Sequence, residues 1–557
     1  MMFVKLVVSS IFSYLSWSLV TLQINHRRAS TMGIPLIRLP TDPLNVFFQV
    51  LEPHIFRLLD ALPISLPECI YCLRRGWYFK DKADMHLKYG PVWALVTPRD
   101  IHVHLSDSEA IHEVFSRRAD FIRPSKMYEL LEVYGPCIST ADVKNWPRHR
   151  KILAAPFSES AMSYVWSESL HQTQQMMQTW ISAPRVSSVG KDMRTLSLNV
   201  LAAIGFRRSF HFRGSNNNAT IREDGMFSYR DALQIVLDNV ILLMLIPRRY
   251  LTYSWMPASL QRIGHAASDF KKHMVQMLDE ETRLLSEGKK GSGSLMTSFI
   301  QAQARSERSK DTGSNAPQGL SVDEIFGNIF VINFAGHDTT ANTLAFSTLL
   351  LAAHPAVQEW VAEEVTSVIS GKPEEEWNYA DLFPRLKRCQ AVLLETLRLY
   401  PPIMALPKST NEYPQPLQVG DRRIVIPPRT GVQPNIIATQ THPQYWGPDP
   451  RAWRPSRWIT TSSGDQEGLV TPPRDTFLPW SDGPQNCPGM NFSQVEFVAV
   501  LARLLFRHRL QVIKERPLET DAEATARVLR VVNECDAQML LRMLDPDRVS
   551  VACVPAL

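Results

Sequence analysis

Long stretches with helical spacing of apolar residues dominate the chain, and only short stretches alternate as strands do. The segment from Ser321 to Pro355, "SVDEIFGNIFVINFAGHDTTANTLAFSTLLLAAHP", begins with a capping box and stays mostly apolar until its final proline. Short apolar pieces such as "PVWALV" and "RRIVIP" are typical of strands. The pattern predicts a mainly α fold with a small β region, crossed by one helix about 50 Å long.

A second apolar stretch lies at the N-terminus. Residues 3–24, "FVKLVVSSIFSYLSWSLVTLQI", have about the length that crosses a bilayer as a helix, and basic residues follow at 26–28. The positive-inside rule then places the body in the cytosol, and without a small-residue cleavage site we expect a retained single-pass anchor. Lys5 and the serines leave a cleaved or surface-lying segment as the alternative.

This pattern divides the chain into three parts. We assign 1–25 to an N-terminal transmembrane helix, 26–60 to a proline-bearing linker and membrane-proximal segment, and 61–557 to one catalytic domain.

Composition narrows the classes of protein. The 557 residues are 45% hydrophobic and 21% charged, as in a large globular protein. A net charge of +5 is small for this size and gives no support to nucleic-acid binding. Seven cysteines, an odd number on a long chain, do not form a disulfide framework, which favours a reducing compartment.

One cysteine has unusual surroundings. In "TFLPWSDGPQNCPGMNFSQVEF" prolines and glycines surround Cys487, and an apolar run that predicts a buried helix follows. A helix N-terminus and converging backbone amides stabilise a thiolate, and a thiolate binds iron. The alternative is a structural cysteine in a turn.

Two helical segments place charged groups among apolar neighbours. Asp338 and Thr339 lie in the middle of the long apolar helix, where a buried acid needs either a function or several partners. A network that merely kinks this helix is the alternative. In "AVLLETLRLYPP", Glu395 and Arg398 share one face of a leucine-rich helix, which predicts a buried ion pair.

Together these segments resemble the cytochrome P450 superfamily of haem-thiolate monooxygenases. "WSDGPQNCPG" resembles the haem-binding signature, "AGHDTT" the oxygen-activating helix and "ETLR" the glutamate-arginine motif. "WPRHR" is similar to the helix that holds a haem propionate, and "RPSRW" to the segment that completes a buried triad. The resemblance covers about Trp146 to Phe506 and implies a triangular, mainly helical domain with a small sheet.

The resemblance also implies roles for individual residues. Cys487 would be the axial ligand of the iron in haem b, while Asp338 and Thr339 would be catalytic and deliver protons to dioxygen. The other implied positions are haem-binding Trp146, Arg150, Trp480, Gly483, Gly489 and Gly336, a structural triad of Glu395, Arg398 and Arg457, and substrate-pocket residues Ile403, Met404, Ala405 and Leu406.

The implied partners follow from the same family. Electrons would come from NADPH through NADPH-cytochrome P450 reductase, with cytochrome b5 as a further candidate donor. The substrates would be O2 and a lipophilic small molecule, at the endoplasmic reticulum membrane and with no nucleic acid involved. The chain as a whole looks like the fungal microsomal members of the family, which modify terpenoids, polyketides or alkaloids in secondary-metabolite biosynthesis.

Two other functions stay open at this point. A haem-thiolate isomerase or dehydratase needs no reductase, but such relatives tend to lack the acid-alcohol pair that Asp338 and Thr339 form. A non-catalytic haem-binding protein or sensor would need neither a proton relay nor an apolar entrance.

The signature departs from the family at two positions. Trp480 replaces the usual phenylalanine, and Gln485 replaces the usual basic residue. Loss of that cation removes a charge-assisted contact to a haem propionate, so haem retention is expected to be weaker unless another cation compensates. The candidate cations are Arg150, Lys151 and Lys408.

Overall fold

The structure is a computed structural model. The residues whose placement it describes are 2–63, 66–154, 158–206, 209–214, 225–289, 293–311, 319–461, 466–537 and 539–556.

Helices make up most of the described chain. The α-helices are α1 (Met2–Ser30), α2 (Val46–Ala61), α3 (Glu68–Tyr71), α4 (Trp77–Asp81), α5 (Asp84–Tyr89), α6 (Ser108–Ser116), α7 (Ser125–Tyr128), α8 (Trp146–Ala154), α9 (Glu159–Ser182), α10 (Val189–Phe206), α11 (Tyr229–Asp238), α12 (Val240–Leu245), α13 (Arg248–Leu251), α14 (Ala258–Ser286), α15 (Leu295–Asp311), α16 (Val322–Ala353), α17 (Pro355–Ile369), α18 (Tyr379–Leu382), α19 (Lys387–Leu399), α20 (Ile436–Thr441), α21 (Pro443–Trp446), α22 (Met490–Leu505) and α23 (Asp521–Asn533). Short 3₁₀-helices span Glu129–Leu131, Glu374–Glu376, Phe383–Arg385, Pro455–Trp458, Gly483–Gln485 and Pro546–Arg548.

The β structure is small. Its strands are β1 (Leu36–Arg38), β2 (Val92–Val96), β3 (Ile101–Leu105), β4 (Phe121–Ile122), β5 (Lys408–Thr410), β6 (Gln415–Val419), β7 (Arg422–Ile426), β8 (Gly431–Pro434), β9 (Ile459–Thr461), β10 (Glu467–Leu469), β11 (His508–Val512), β12 (Cys535–Ala537), β13 (Leu541–Met543) and β14 (Val551–Pro555). The largest sheet has the order β1-β2-β3-β8-β5-β4 and mixes parallel with antiparallel pairs. The other strands form two-stranded antiparallel pairs. The predicted mainly helical body with a small β region is confirmed.

Helix α16 forms the centre of the main core. Ser321 and Glu324 make both halves of the predicted capping box, and the helix then runs for 32 residues to Ala353, about 48 Å at helical rise. Helices α10, α19, α22 and α23 pack against it. Its side chains are buried along nearly the whole length, but Ala335 is exposed and Thr339 is half-buried. This part of α16 therefore borders open space.

The N-terminal segments differ from the sequence-based expectation. Among the described residues, no helix has both the length and the apolar character needed to cross a membrane, so the transmembrane helix expected over 1–25 is not found. Serines and Lys5 interrupt the apolar sequence of α1, and Asn25 Nδ2 at its other end donates to the carbonyl of Thr97 at 3.0 Å. Within the expected linker, β1 pairs with β2 as part of the largest sheet.

A buried acid lies on the helix that follows the Cys487 loop. Glu496 on α22 is 1% exposed, accepts a hydrogen bond from Ser197 Oγ at 2.5 Å, and its second oxygen has no partner in the described chain. Burial raises the pKa of Glu496 to about 8, although the Ser197 bond opposes the shift. The carboxyl group is therefore neutral in the folded protein at pH 7.

Glu496 predicts a specific pH dependence of stability. The unfolded chain loses this proton near pH 4.3 and the folded chain near pH 8, so the stability that the proton provides falls as pH rises through this window. Glu496→Gln keeps a neutral side chain at every pH. The free energy of unfolding of the variant, relative to that of the wild type, should therefore rise by about 1 to 3 kcal/mol between pH 5 and pH 8 in thermal unfolding experiments. The exposed control Glu109→Gln should differ in stability from the wild type by the same amount at both pH values. The same result for Glu496→Gln would contradict the raised pKa of Glu496.

Candidate active site

The Cys487 loop is held in one tight conformation. The backbone N–H of Cys487 donates to the carbonyl of Trp480 at 2.8 Å, and Trp480 Nε1 donates to Ser493 Oγ on α22 at 3.0 Å. Gly483 has a φ of +66°, and a Cβ there would lie 2.8 Å from the carbonyl oxygen of Phe115 on α6. Only glycine fits this close approach, so the loop is fixed between α6 and α22.

The Cys487 thiol borders open space close to positive charge. Its side chain is accessible. The surrounding protein atoms still remove enough water from Sγ to raise the pKa of this exposed cysteine, while a hydrogen bond from the Gly489 backbone N–H and the charge of Arg150 act in the opposite direction. A coordinated metal deprotonates a thiol outright. Cys487 is therefore placed to be a thiolate ligand of a metal that enters this space.

Helix α8 directs two polar side chains towards the loop. Arg150 donates from Nη1 to the carbonyl of Asn486 at 2.9 Å and from Nη2 to its Oδ1 at 2.6 Å. Trp146 lies one turn earlier, is 5% exposed, and its Nε1 has no hydrogen-bond partner in the described chain. The guanidinium of Arg118 lies 4.9 Å from the centre of the Trp146 ring, and its Nη1 is buried without a partner as well.

Contacts with the start of α16 fix the rotation of α8. Arg148 donates two hydrogen bonds to Glu324, at 2.9 and 2.6 Å. His149 Nε2 lies 3.1 Å from Glu324 Oε1, and Asn328 Nδ2 lies 3.1 Å from His149 Nδ1. Because these four contacts hold one face of α8, the face that carries Trp146 and Arg150 remains turned towards the cysteine loop.

Three cations near the loop lack an acidic partner. Arg123, Arg150 and Lys408 have no carboxylate within ion-pair distance among the described residues. Burial lowers the pKa of Arg123, and the charge of Arg150 lowers it further. Burial together with the charge of Arg123 lowers the pKa of Lys408 to about 7. The site is therefore prepared for an anion that would neutralise these groups.

These features fit a haem. The two propionates of a haem are anions, and they can pair with the cations that have no acidic partner. The N–H of Trp146, which has no hydrogen-bond partner in the described chain, can donate to one propionate. The accessible sulfur of Cys487 can bind the iron.

The predicted acid and alcohol lie on the accessible part of α16. Thr339 Oγ1 donates to the carbonyl of Ala335 at 2.7 Å, and Asp338 Oδ1 accepts a bond from Arg194 Nε at 2.8 Å. A Cβ on Gly336 would lie 3.3 Å from the side chain of Leu201, so this glycine permits close packing of α16 on α10. Its predicted contact with the cofactor stays a prediction.

The structure brings the three predicted triad residues together. Arg398 donates from Nε and Nη2 to the two Glu395 oxygens at 2.8 and 2.9 Å, and Arg457 Nε donates to Glu395 Oε1 at 2.9 Å. Trp458 Nε1 and the backbone N–H of Arg454 also donate to Glu395. Burial opposes ionisation of Glu395, but these partners outweigh it and lower its pKa. The carboxylate therefore holds α19 and the segment around Trp458 together.

The family match settles which group of proteins this chain belongs to. A model described as Cytochrome P450 matches residues 69–534, most of the chain. The chain belongs to the cytochrome P450 family. The chain is therefore a haem-dependent monooxygenase, and the family implies a cysteinate ligand of the haem and a redox partner that supplies electrons.

Curated relatives include several fungal enzymes. A cytochrome P450 monooxygenase of Arthrobotrys oligospora is 27% identical, covering 96% of this chain and 95% of the relative. The phomenoic acid biosynthesis cluster cytochrome P450 monooxygenase of Leptosphaeria maculans is 28% identical over 87% of this chain and 88% of its own. A cytochrome P450 monooxygenase of Postia placenta is 31% identical over 76% of this chain and 79% of the relative.

The predicted pocket residues of this cytochrome P450 chain are only partly accessible. Ile403, Ala405 and Leu406 are half-buried, whereas Met404 is 8% exposed and belongs to the main core. Ala405 forms an isolated bridge with Asn435. The role of all four residues in substrate binding stays a prediction.

Two arginines of the site were not predicted from the sequence. Arg118 and Arg123 lie between α6 and α7, in a segment whose spacing carries no haem-related pattern. They belong to the site because the fold places Arg118 beside Trp146 and Arg123 near Arg150.

Lys408 is the cation that contacts Gln485. Its Nζ donates to Gln485 Oε1 at 2.7 Å, while Lys151 is exposed on α8. Lys408→Gln should therefore speed the transfer of haem to an apo-globin acceptor by about tenfold. This is the loss of haem affinity expected when a charged hydrogen bond to a propionate is replaced by a neutral one. The matched control Lys151→Gln should leave the rate near that of the wild type. Equal rates for wild type and Lys408→Gln would exclude Lys408 as a propionate partner.

Proposed function

We propose that this cytochrome P450 inserts one oxygen atom from O2 into a lipophilic small molecule of secondary metabolism. The observation that carries the proposal is the arrangement of the accessible Cys487 thiol beside the uncompensated cations Arg123, Arg150 and Lys408. Asp338 and Thr339 on the accessible part of α16 would supply the proton-handling groups.

Each group of residues at the site would have a separate role. Haem b held by the Cys487 thiolate supplies the activation of dioxygen when it is bound. Trp146, Arg150 and Lys408 would orient the cofactor through its propionates. Thr339 would donate a hydrogen bond to dioxygen, and Asp338 would pass protons to dioxygen through water. The apolar residues around α16 exclude bulk water.

The substrate class rests on the apolar segment after α19 and on the relatives. Ile403, Ala405 and Leu406 offer no charged group to a ligand, which suits a lipophilic molecule. One relative is named for the phomenoic acid biosynthesis cluster, which supports a secondary-metabolite substrate such as a terpenoid, polyketide or alkaloid.

The electron source gives the decisive test of function. We propose NADPH as the donor, through NADPH-cytochrome P450 reductase, with cytochrome b5 as a second donor. Membranes that contain the protein should consume oxygen with an extract of candidate substrates only when NADPH and reductase are both present. Product formation without reductase would instead indicate the isomerase or dehydratase. Haem binding without any turnover would indicate the non-catalytic binder.

Thr339 provides a prediction about coupling. Thr339→Ala removes the hydroxyl that would hold bound dioxygen, so more of the consumed NADPH should end as hydrogen peroxide and less as product. The peroxide yield per NADPH should rise several-fold, and Thr339→Ser, which keeps the hydroxyl, should stay close to the wild type. An unchanged peroxide yield in Thr339→Ala would refute the role.

For location we propose the cytosolic side of the endoplasmic reticulum, with α1 and α2 in contact with the membrane. The support is a set of exposed apolar side chains, Phe12, Leu19, Phe47 and Leu58, which are 67% to 83% exposed. Deletion of residues 1–30 should shift the protein from the microsomal pellet to the supernatant. A deletion variant that stays wholly in the pellet would contradict attachment through α1.

A further inference from the structure

A histidine and two aspartates meet where the Cys487 loop packs against α6. His112 lies on α6, Asp475 lies in the segment that leads into the loop, and Asp482 lies in the loop itself. His112 Nδ1 lies 2.5 Å from Asp482 Oδ2 and 3.4 Å from Asp475 Oδ1. One nitrogen and two oxygens, all within 4.8 Å of one another, therefore converge from separate parts of the chain.

The charges of these three residues do not balance when the imidazole is neutral. Asp482 has His112 as its one ion-pair partner in the described part of the chain. Asp475 also contacts Arg474 at 3.4 Å, but the arginine side chain is 83% exposed, so water screens most of its charge. Two carboxylates thus lie close together with little positive charge between them, an arrangement that a cation would stabilise.

The donor atoms suit a divalent cation of the zinc type. Imidazole nitrogen and carboxylate oxygen both bind zinc, at about 2.0 to 2.2 Å, whereas magnesium and calcium prefer oxygen ligands alone. Ligand atoms on one such ion lie roughly 3 to 3.5 Å apart, so the Asp475 contact already fits and the Asp482 contact has to widen by about 1 Å or less. The side chains of His112, Asp475 and Asp482 are 33%, 14% and 26% exposed, which allows water to complete the coordination.

A hydroxyl group lies on the other side of the imidazole. Ser116 follows His112 by one turn of α6, and its Oγ lies 3.4 Å from His112 Nε2. Metal-binding histidines commonly donate their second ring N–H to an acceptor, which fixes the tautomer and the orientation of the ring. A proton on Nε2 that points to Ser116 would leave the lone pair of Nδ1 available to an ion.

We propose that His112, Asp475 and Asp482 form a zinc-type cation site that ties the Cys487 loop to α6. Asp482 precedes Gly483, where a Cβ would collide with the backbone of α6, so the ion would act at the closest approach of loop and helix. A loop that cannot move away from α6 would keep its thiolate on the haem iron for longer. This role in cofactor retention does not rest on the proposed substrate or electron donor.

Equilibrium dialysis of the haem-loaded full-length protein against zinc tests the site. After treatment with a chelator, the wild type should bind one zinc ion per chain at least about tenfold more tightly than Asp475→Asn, because loss of a ligand costs no less than loss of a supporting hydrogen bond. Asparagine keeps the shape of the side chain and tolerates the left-handed backbone of residue 475, whose φ is +61°, so this variant should fold. Asp482→Asn should lose zinc to the same extent, whereas His265→Gln, at an exposed histidine of α14, should match the wild type.

The transfer of haem to an apo-globin acceptor tests whether the ion ties the loop to α6. Saturating zinc should slow the transfer several-fold from the wild type and from His265→Gln, and should leave transfer from Asp475→Asn unchanged. A purely structural role of Asp475 would change the transfer rate equally with and without zinc. Neither experiment contains substrate or reductase, so a failure of the proposed function would affect neither result.

Two results would overturn the proposal. Equal zinc binding by the wild type and Asp475→Asn would show that His112 is only the protonated partner of the two aspartates and that no ion is held between them. Zinc that binds at this site but leaves haem transfer unchanged would show that the ion does not tie the loop to α6. Should Asp482→Asn fail to retain haem, Asp475→Asn alone decides, because residue 475 lies outside the loop at 480–489.

Discussion

Cys487→Ala is expected to abolish oxygenation completely. Alanine has no atom that can bind iron, and Cys487 is the only exposed cysteine among the described residues. Without the thiolate, the iron loses the electron density that favours cleavage of the O–O bond. Product formation should fall below detection, and the carbon monoxide complex of the reduced protein should lose its thiolate spectrum.

Cys69→Ala is the matched control for this variant. Cys69 is also a free cysteine, half-buried near the first helices and far along the chain from the Cys487 loop. Its loss should leave the haem spectrum and the turnover unchanged. A Cys487→Ala protein that still forms product with the wild-type spectrum would show that a different residue binds the iron.

Glu395→Ala is expected to destroy the fold rather than the chemistry. The side chains of Glu395 and Arg398 are fully buried, and that of Arg457 is 10% exposed. Removing the carboxylate leaves two buried guanidinium groups without their shared anion, at a cost of about 3 to 5 kcal/mol. We expect low haem content and a large fall in the thermal unfolding temperature of any protein recovered.

Two comparison variants locate the cause of this effect. Glu395→Gln keeps the shape and can accept one hydrogen bond, so its loss of stability should be smaller. Glu412→Ala removes an exposed partner of Arg429 and should change stability little. If Glu395→Ala melted at the wild-type temperature with full haem content, the buried triad would not support the fold.

Features that depend on neighbouring residues were predictable from the sequence. The capping box at Ser321 and the long helix after it follow from local patterns, and so do the tight Cys487 loop and the buried helix α22. The Glu395 and Arg398 pair could be expected because the two residues lie three positions apart on one helix.

Features that depend on tertiary approach were not predictable. Arg123 and Arg194 belong to the site through contacts with residues distant in the chain, and neither lies in a recognisable motif. The sequence around β1 favoured a linker, but three residues of it complete the edge of a sheet whose partner strand begins at Val92. Tertiary pairing overrides a weak local preference in such short strands.

The expected membrane-spanning helix stays unconfirmed, because no helix among the described residues has both the length and the apolar character to cross a membrane. Helix α1 is long enough to cross a bilayer, but its apolar residues alternate with serines, and one lysine lies near its start.

Labelled dioxygen gives the most direct test of the central claim, monooxygenation of a lipophilic molecule. Cells that produce the protein and a reductase would be grown under heavy-isotope O2, and their metabolites compared by mass spectrometry with those of cells that produce Cys487→Ala. We predict a lipophilic product that carries one oxygen atom from O2 and none from water, and that is absent with the variant. A product whose new oxygen comes from water, or one that gains no oxygen at all, would contradict the account.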